Sequence, residues 1–134
     1  MNKTFVILLL VFCKIGNGQS CSYHNVSTSF DFKVHVQRGK ALEDTCTVTV
    51  LLQSKIGRKT IQTIKYKADF LSGDVFTDPN FTRSYSTEKN KKVEVSDYDF
   101  GDLVIADLNF DGRDDLAIKH DSGENGGPFY NFYI

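Results

Sequence analysis

The chain has 134 residues, 16 of them basic and 17 acidic, for a net charge of −1. That length suits one domain built around one core. The near-neutral balance argues against nucleic acid or an anionic membrane surface as a partner drawn by bulk charge.

At the N-terminus, Lys3 precedes an apolar run over residues 5–12, followed by Gly16, Asn17, Gly18, Gln19 and Ser20. A basic start, a short apolar stretch and small residues at −3 and −1 of the cut describe a secretory signal peptide over residues 1–18. The run is well short of the ~20 apolar residues that span a bilayer, so a permanent anchor helix is not expected. The expected product is a single domain over residues 19–134, exported to the periplasm or the medium. The alternative is an outer-membrane lipoprotein with Cys21 as its acylated first residue. Ser20 suits the −1 position of that cut, but Gly18 at −3 lacks the usual aliphatic side chain, and Cys13 is a poorer candidate still, with Phe12 before it. Loss of Lys3 and Lys14 with the leader leaves 14 basic against 17 acidic residues, a net charge of −3.

Cys13 leaves with the leader, so Cys21 and Cys46 remain as an even pair in an oxidising compartment. A disulfide between them would close a loop of about 25 residues and contribute roughly 3 kcal/mol on the chain-entropy model. The alternative leaves Cys21 lipidated and Cys46 reduced. No CxxC spacing supports a metal or redox role.

Strand signals recur along the chain and helical periodicity does not persist. Phe30, Phe32, Val34 and Val36 alternate with polar residues, as in a half-buried strand. Residues 45–53 alternate too, with Cys46, Val48, Val50 and Leu52 on one face. Residues 59–67 follow across a short turn containing Gly57, which makes a hairpin. Ile61 and Ile64 fall on opposite parities there, which a β-bulge or two-sided burial would explain. Between residues 70 and 88 the pattern is ambiguous, apart from a turn at Asp78, Pro79 and Asn80. Lys89, Lys91 and Lys92 form a basic cluster that is either a solvated turn or a protein docking patch. Further strands are expected over residues 91–96, 103–106, 115–119 and 129–134. The expected fold is therefore all-β: one domain of mostly antiparallel sheets, a small sandwich or a partial propeller-like arrangement.

Between the 103–106 and 115–119 strands runs Asp107-Leu108-Asn109-Phe110-Asp111-Gly112-Arg113-Asp114-Asp115. Calcium takes six to eight oxygen ligands, and a short loop supplies them by alternating ligand and spacer residues. Asp107, Asn109, Asp111 and Asp115 would offer side-chain oxygens, Arg113 its backbone carbonyl, and Gly112 the sharp bend. An ordinary Asp/Gly-rich turn is the bland alternative. An EF-hand is excluded, because position 12 is Ile118 instead of a bidentate Glu and the flanks are strands instead of helices. Asp121 or Glu124 could lend a further oxygen, and Asp99 or Asp102 could orient the loop.

The chain closes on Gly123, Glu124, Asn125, Gly126, Gly127 and Pro128, followed by Phe129-Tyr130-Asn131-Phe132-Tyr133-Ile134. The glycine-rich stretch lacks the following helix and Lys-Ser/Thr pair of a phosphate cradle. Its aromatic ending predicts a last strand paired inside a sheet, its rings filling the core. Tyrosines such as Tyr130 could alternatively face outward as a binding platform.

The loop resembles the D-x-[DN]-x-D-G-x-x-D calcium loop of FG-GAP and VCBS-type repeats. Together with Val93-Glu94-Val95 and the aromatic ending, it resembles a family of exported bacterial calcium-binding immunity proteins. The best-known member of that family pairs with a lysozyme-like effector of the Xanthomonas type IV secretion system. The resemblance covers about 40 of the 134 residues. It implies a propeller-like sheet arrangement, a calcium loop and inhibition of a peptidoglycan hydrolase. No catalytic residue is expected. His24, His35 and His120 are the only histidines, and none stands beside a nucleophile motif. The competing expectation is a small carbohydrate-active hydrolase that draws a carboxylate pair from Asp97, Asp99 and Asp102.

Overall fold

The computed structural model describes residues 18–40, 45–87, 101–123 and 126–134. These form eight strands in two four-stranded sheets. One has the order β1-β2-β3-β4 and the other β5-β6-β7-β8. The first is a plain antiparallel meander of β1 (Gly18–Tyr23), β2 (Phe30–Gln37), β3 (Cys46–Ser54) and β4 (Thr60–Ala68). The second begins with the only parallel pair among the described strands, β5 (Thr82–Ser84) beside β6 (Leu103–Ala106). It continues antiparallel through β7 (Asp115–Asp121) to β8 (Phe129–Tyr133). The architecture is the expected all-β one, as a sandwich. The strand expected over residues 91–96 and the basic cluster at 89–92 lie outside the described residues.

The period-2 pattern sets which face is buried. Phe32, Val34 and Val36 on β2 point inward with Cys46, Val48 and Val50 on β3, as their alternation requires. The register slips between Leu52 and Gln53, so the expected bulge is present; it leaves Ile61 unpaired and exposed, while Ile64 is buried. From the other sheet, Leu103, Ile105, Leu116 and Ile118 complete a core shared by both layers. The ambiguous stretch resolves into Leu71, Val75 and Phe76 packed on that core, then a 3-10 turn at Pro79–Phe81. Asp78 caps that turn by accepting a hydrogen bond from the Asn80 amide at 2.8 Å.

Two expectations are corrected here. Cys21 and Cys46 are buried thiols and no disulfide joins them. The register gives the reason. Cys21 pairs with Val34, Val34 with Val50, and Cys46 lies four residues along β3 from Val50. The two are therefore separated by two strand spacings across the sheet and about 13 Å along it, far beyond the ~7 Å Cα limit of a disulfide. Reductant should accordingly leave the melting temperature unchanged. Alkylation under denaturing, non-reducing conditions should label both cysteines; a mass two hydrogens short of the dithiol would show a bridge after all. The thiol of Cys21 also faces the core, where burial raises its pKa. An acyl chain attached there would have to be drawn out through the β1–β2 layer.

The second correction concerns the end of the chain. The last strand is paired in a sheet as expected, β8 with β7, but its rings do not all fill the core. Phe129 and Phe132 are more than half exposed. Tyr130, the expected platform residue, instead donates its hydroxyl to the Gly101 carbonyl at 2.6 Å.

Candidate functional site

The β6–β7 connection carries the acidic loop. Ala106 pairs with Asp115, so residues 107–114 form a closed excursion from two strands whose separation the sheet fixes. Inside it the side chains fold back on the loop's own amides. Asp107 accepts from Asp111 N at 3.0 Å through Oδ1 and from Gly112 N at 2.9 Å through Oδ2. Asn109 Oδ1 accepts from Asp111 N, and Asp111 Oδ1 from Arg113 N, each at 2.9 Å. Asp115 Oδ2 accepts from Leu108 N at 2.8 Å and Asn109 N at 3.2 Å. Each side chain offered as a ligand is thus held by a backbone donor of the loop itself. Gly112 has φ +86, the bend expected of it, and Phe110 has φ 63.

The donor chemistry suits a hard cation: three carboxylates, one amide oxygen and the Arg113 carbonyl. Among the described residues no Lys, Arg or His pairs with Asp107, Asp111 or Asp115, so their charge is opposed only by amide dipoles. A carboxylate has room for about four hydrogen bonds and here uses two at most, so lone pairs remain for an ion. The gathering is incomplete, however. Among the described residues no three Asp, Glu, His or Cys side chains are close enough together to hold a metal ion. An incoming cation would have to draw the exposed Asp111 inward, because Asp115 is buried and fixed by two amides.

Of the auxiliary residues proposed from the sequence, those described do not join this loop. Asp121 accepts from Gly123 N at 2.7 Å and serves its own turn. Glu124 and Asp99 lie outside the described residues. Asp102 points into the core, where Oδ1 meets Lys119 Nζ at 2.9 Å and Oδ2 accepts from Phe76 N at 2.8 Å. It orients the Phe76 segment, not the loop, and is fully engaged as a structural ion pair. His24 sits 3.1 Å from Asp31, and His120 lies beside the Phe129 ring. Burial and the nearby Lys33 charge keep His35 below its ordinary pKa. None of these histidines touches a serine or cysteine nucleophile among the described residues.

Sequence reasoning missed two features beside the loop. Phe110, at its tip, is 91% exposed, an aromatic side chain held in solvent by the loop backbone. Asp114 turns away from the loop and is gripped by two hydroxyls from distant segments, Ser27 Oγ at 2.7 Å and Ser86 Oγ. The sequence carries no signal for either serine, since each is a lone polar residue in an irregular stretch.

Compared with protein-family models, with curated proteins and with solved structures, the chain finds no match in any of the three. Among the described residues no helix is long and apolar enough to cross a membrane.

Proposed function

We propose that this protein is an exported, calcium-stabilised binding module without catalytic activity of its own, and that its target is a peptidoglycan hydrolase of the lysozyme type, which it inhibits. The observation that carries the binding part is the loop itself. A self-bonded acidic loop with no cationic partner among the described residues displays an almost fully exposed Phe110 at its tip. Calcium bound by Asp107, Asn109, Asp111, the Arg113 carbonyl and Asp115 would cancel repulsion among the carboxylates. It would also clamp β6 to β7 and hold Phe110 in one orientation, lowering the entropy lost on docking. Buried aromatic anchors carry much of the energy of protein interfaces, which suits a rigidly presented ring. The hydrolase as target rests on the resemblance of the C-terminal third alone.

The test is an inhibition assay of the protein against lysozyme-type hydrolases, with peptidoglycan as substrate and calcium present. Saturable inhibition is expected, and Phe110→Ala should weaken it by about 2 kcal/mol, the effect of a hot-spot residue. The same change should leave the melting temperature nearly unmoved, because the ring packs on nothing. Hydrolysis of peptidoglycan by the protein unaided would reject the proposal in favour of an enzyme.

A further inference from the structure

The near-neutral balance of the whole chain hides a separation of charge. Residues 18–68, which contain the first sheet, hold eight basic and three acidic residues, a net charge of +5. Residues 69–134, which contain the second, hold six basic and fourteen acidic residues, a net charge of −8. An asymmetry of this kind points to an anionic surface as partner for the basic half.

The basic side chains of the first sheet are gathered on its outer face. Lys33 on β2 and Lys65 and Lys67 on β4 alternate with Val34, Ile64 and Ala68, which are buried. Ordinary surfaces intersperse both signs. Among the described residues of this sheet the only acid is Asp31, and His24 stands 3.1 Å from it. Lys33, Lys65 and Lys67 pair with no carboxylate among the described residues, and neither do Lys55, Arg58 and Lys59 in the β3–β4 turn. Ser20, His35, Thr49 and Lys65 form one row across the four strands. The row lines a hollow of about 470 Å³, where hydroxyls and an ammonium can donate to a phosphate.

The turn adds an apolar tip. Ser54 N donates to Lys59 O at 2.9 Å and Ile56 N to Ser54 Oγ at 3.2 Å, while Gly57 and Arg58 have positive φ. That closed turn holds Ile56 91% exposed, with Lys55 before it and Arg58 and Lys59 after it. An aliphatic side chain between cations suits the boundary of headgroups and acyl chains, where the apolar part is buried and the cations stay with the phosphates. A polysaccharide or nucleic acid would leave Ile56 in water. The outward positions carry no Phe, Tyr or Trp on which a base could stack. A protein partner fits less well, because lysine and serine are depleted at protein interfaces.

We infer that the outer face of the first sheet docks on a bilayer rich in anionic phospholipid, with Lys33, Lys65 and Lys67 against the phosphates and Ile56 among the headgroups. The acidic loop belongs to the other sheet, about 10 Å behind this face. That is roughly one Debye length at physiological salt, so its carboxylates are largely screened from the lipid. Attachment of this kind leaves the loop free and needs no acyl chain on buried Cys21. It goes beyond the proposed inhibition and involves neither the calcium loop nor the hydrolase, so each can fail alone.

The experiment is co-sedimentation of the exported form, from residue 19 onward, with vesicles of phosphatidylcholine alone or mixed with phosphatidylglycerol. Chelator is present throughout, so that calcium cannot bridge protein and lipid. Saturable binding is expected to the mixed vesicles only. It should vanish at about 1 M salt, where the Debye length falls to about 3 Å. Lys33→Gln, Lys65→Gln and Lys67→Gln should each weaken it about fivefold, the worth of one cation at an anionic surface. Ile56→Ser should weaken it by a similar factor, and all four variants should melt with the wild type. Absence of binding to the mixed vesicles overturns the proposal, as does equal binding to phosphatidylcholine alone. Full affinity in the triple lysine variant or in Ile56→Ser overturns it too. Salt-sensitive binding to heparin without any to vesicles would also overturn it, by assigning the basic face to an acidic polysaccharide.

Discussion

Asp102→Ala is expected to destabilise the protein by about 3–5 kcal/mol, the usual result of stripping one partner from a buried ion pair. Asp102 is 4% exposed. Its carboxylate joins three parts of the molecule: its own position before β6, Lys119 on β7 and the Phe76 amide in the crossing segment. The backbone repeats the link, since Asp102 N donates to Phe81 O at 2.7 Å and Lys119 N to Asp102 O at 3.0 Å. Removing the carboxylate leaves a lysine ammonium in the interior and the amide of Phe76 without an acceptor, each an unfavourable desolvation. Phe76 is itself fully buried with φ 59, so this amide belongs to a backbone conformation that needs support.

The variants separate charge from hydrogen bonding. Asp102→Asn retains an oxygen for Phe76 but cannot neutralise Lys119, so it should recover only part of the loss. Combining it with Lys119→Met removes the stranded cation, and the pair should lose less than Asp102→Asn alone. Urea unfolding would measure this, with the change in midpoint at constant m reporting stability. A loss below about 1 kcal/mol for Asp102→Ala would show that water reaches the pair and that it contributes little.

That ion pair also shows where sequence reasoning stops. β2, β3 and the β3–β4 hairpin with its bulge were legible because one face of that sheet is buried, which forces period-2 alternation on the sequence. β1 left no such trace: Gly18, Gln19, Ser20 and Ser22 are polar, and only Cys21 and Tyr23 enter the core. β5 is three residues long, all buried, and parallel, so it has neither the length nor the alternation to be seen. The aromatic ending suggested a paired strand whose rings fill the core, because large rings usually mark burial. Here Phe129 and Phe132 are more than half exposed, a matter of placement that composition does not encode. The acidic loop could be read because its neighbours in space are its neighbours in sequence. Asp102 and Asp114 could not, since their partners lie 17 to 87 residues away.

For the loop, the expected result is that calcium raises the melting temperature and Asp111→Ala abolishes the increase. Extracellular calcium modules commonly bind at ~10⁻⁴–10⁻³ M. At about a hundredfold excess over a Kd in that range, binding to the folded state alone adds about 2.7 kcal/mol. For a domain of this size that is a shift on the order of 10 °C between calcium and chelator. The choice of residue matters. Asp115 is 5% exposed and holds the Leu108 and Asn109 amides, so its substitution would destabilise the metal-free loop and blur the comparison. Asp111 is exposed, and its carboxylate accepts one hydrogen bond, from Arg113 N. Asp111→Ala should therefore melt close to the wild type in chelator and fail to respond to calcium. Magnesium should substitute poorly, because it demands near-ideal octahedral geometry at short range and sheds water reluctantly. If the wild type melts at the same temperature in chelator and in calcium at that hundredfold excess, about 10–100 mM, the carboxylates do no more than cap the amides of the turn. Phe110 is then held by backbone geometry alone.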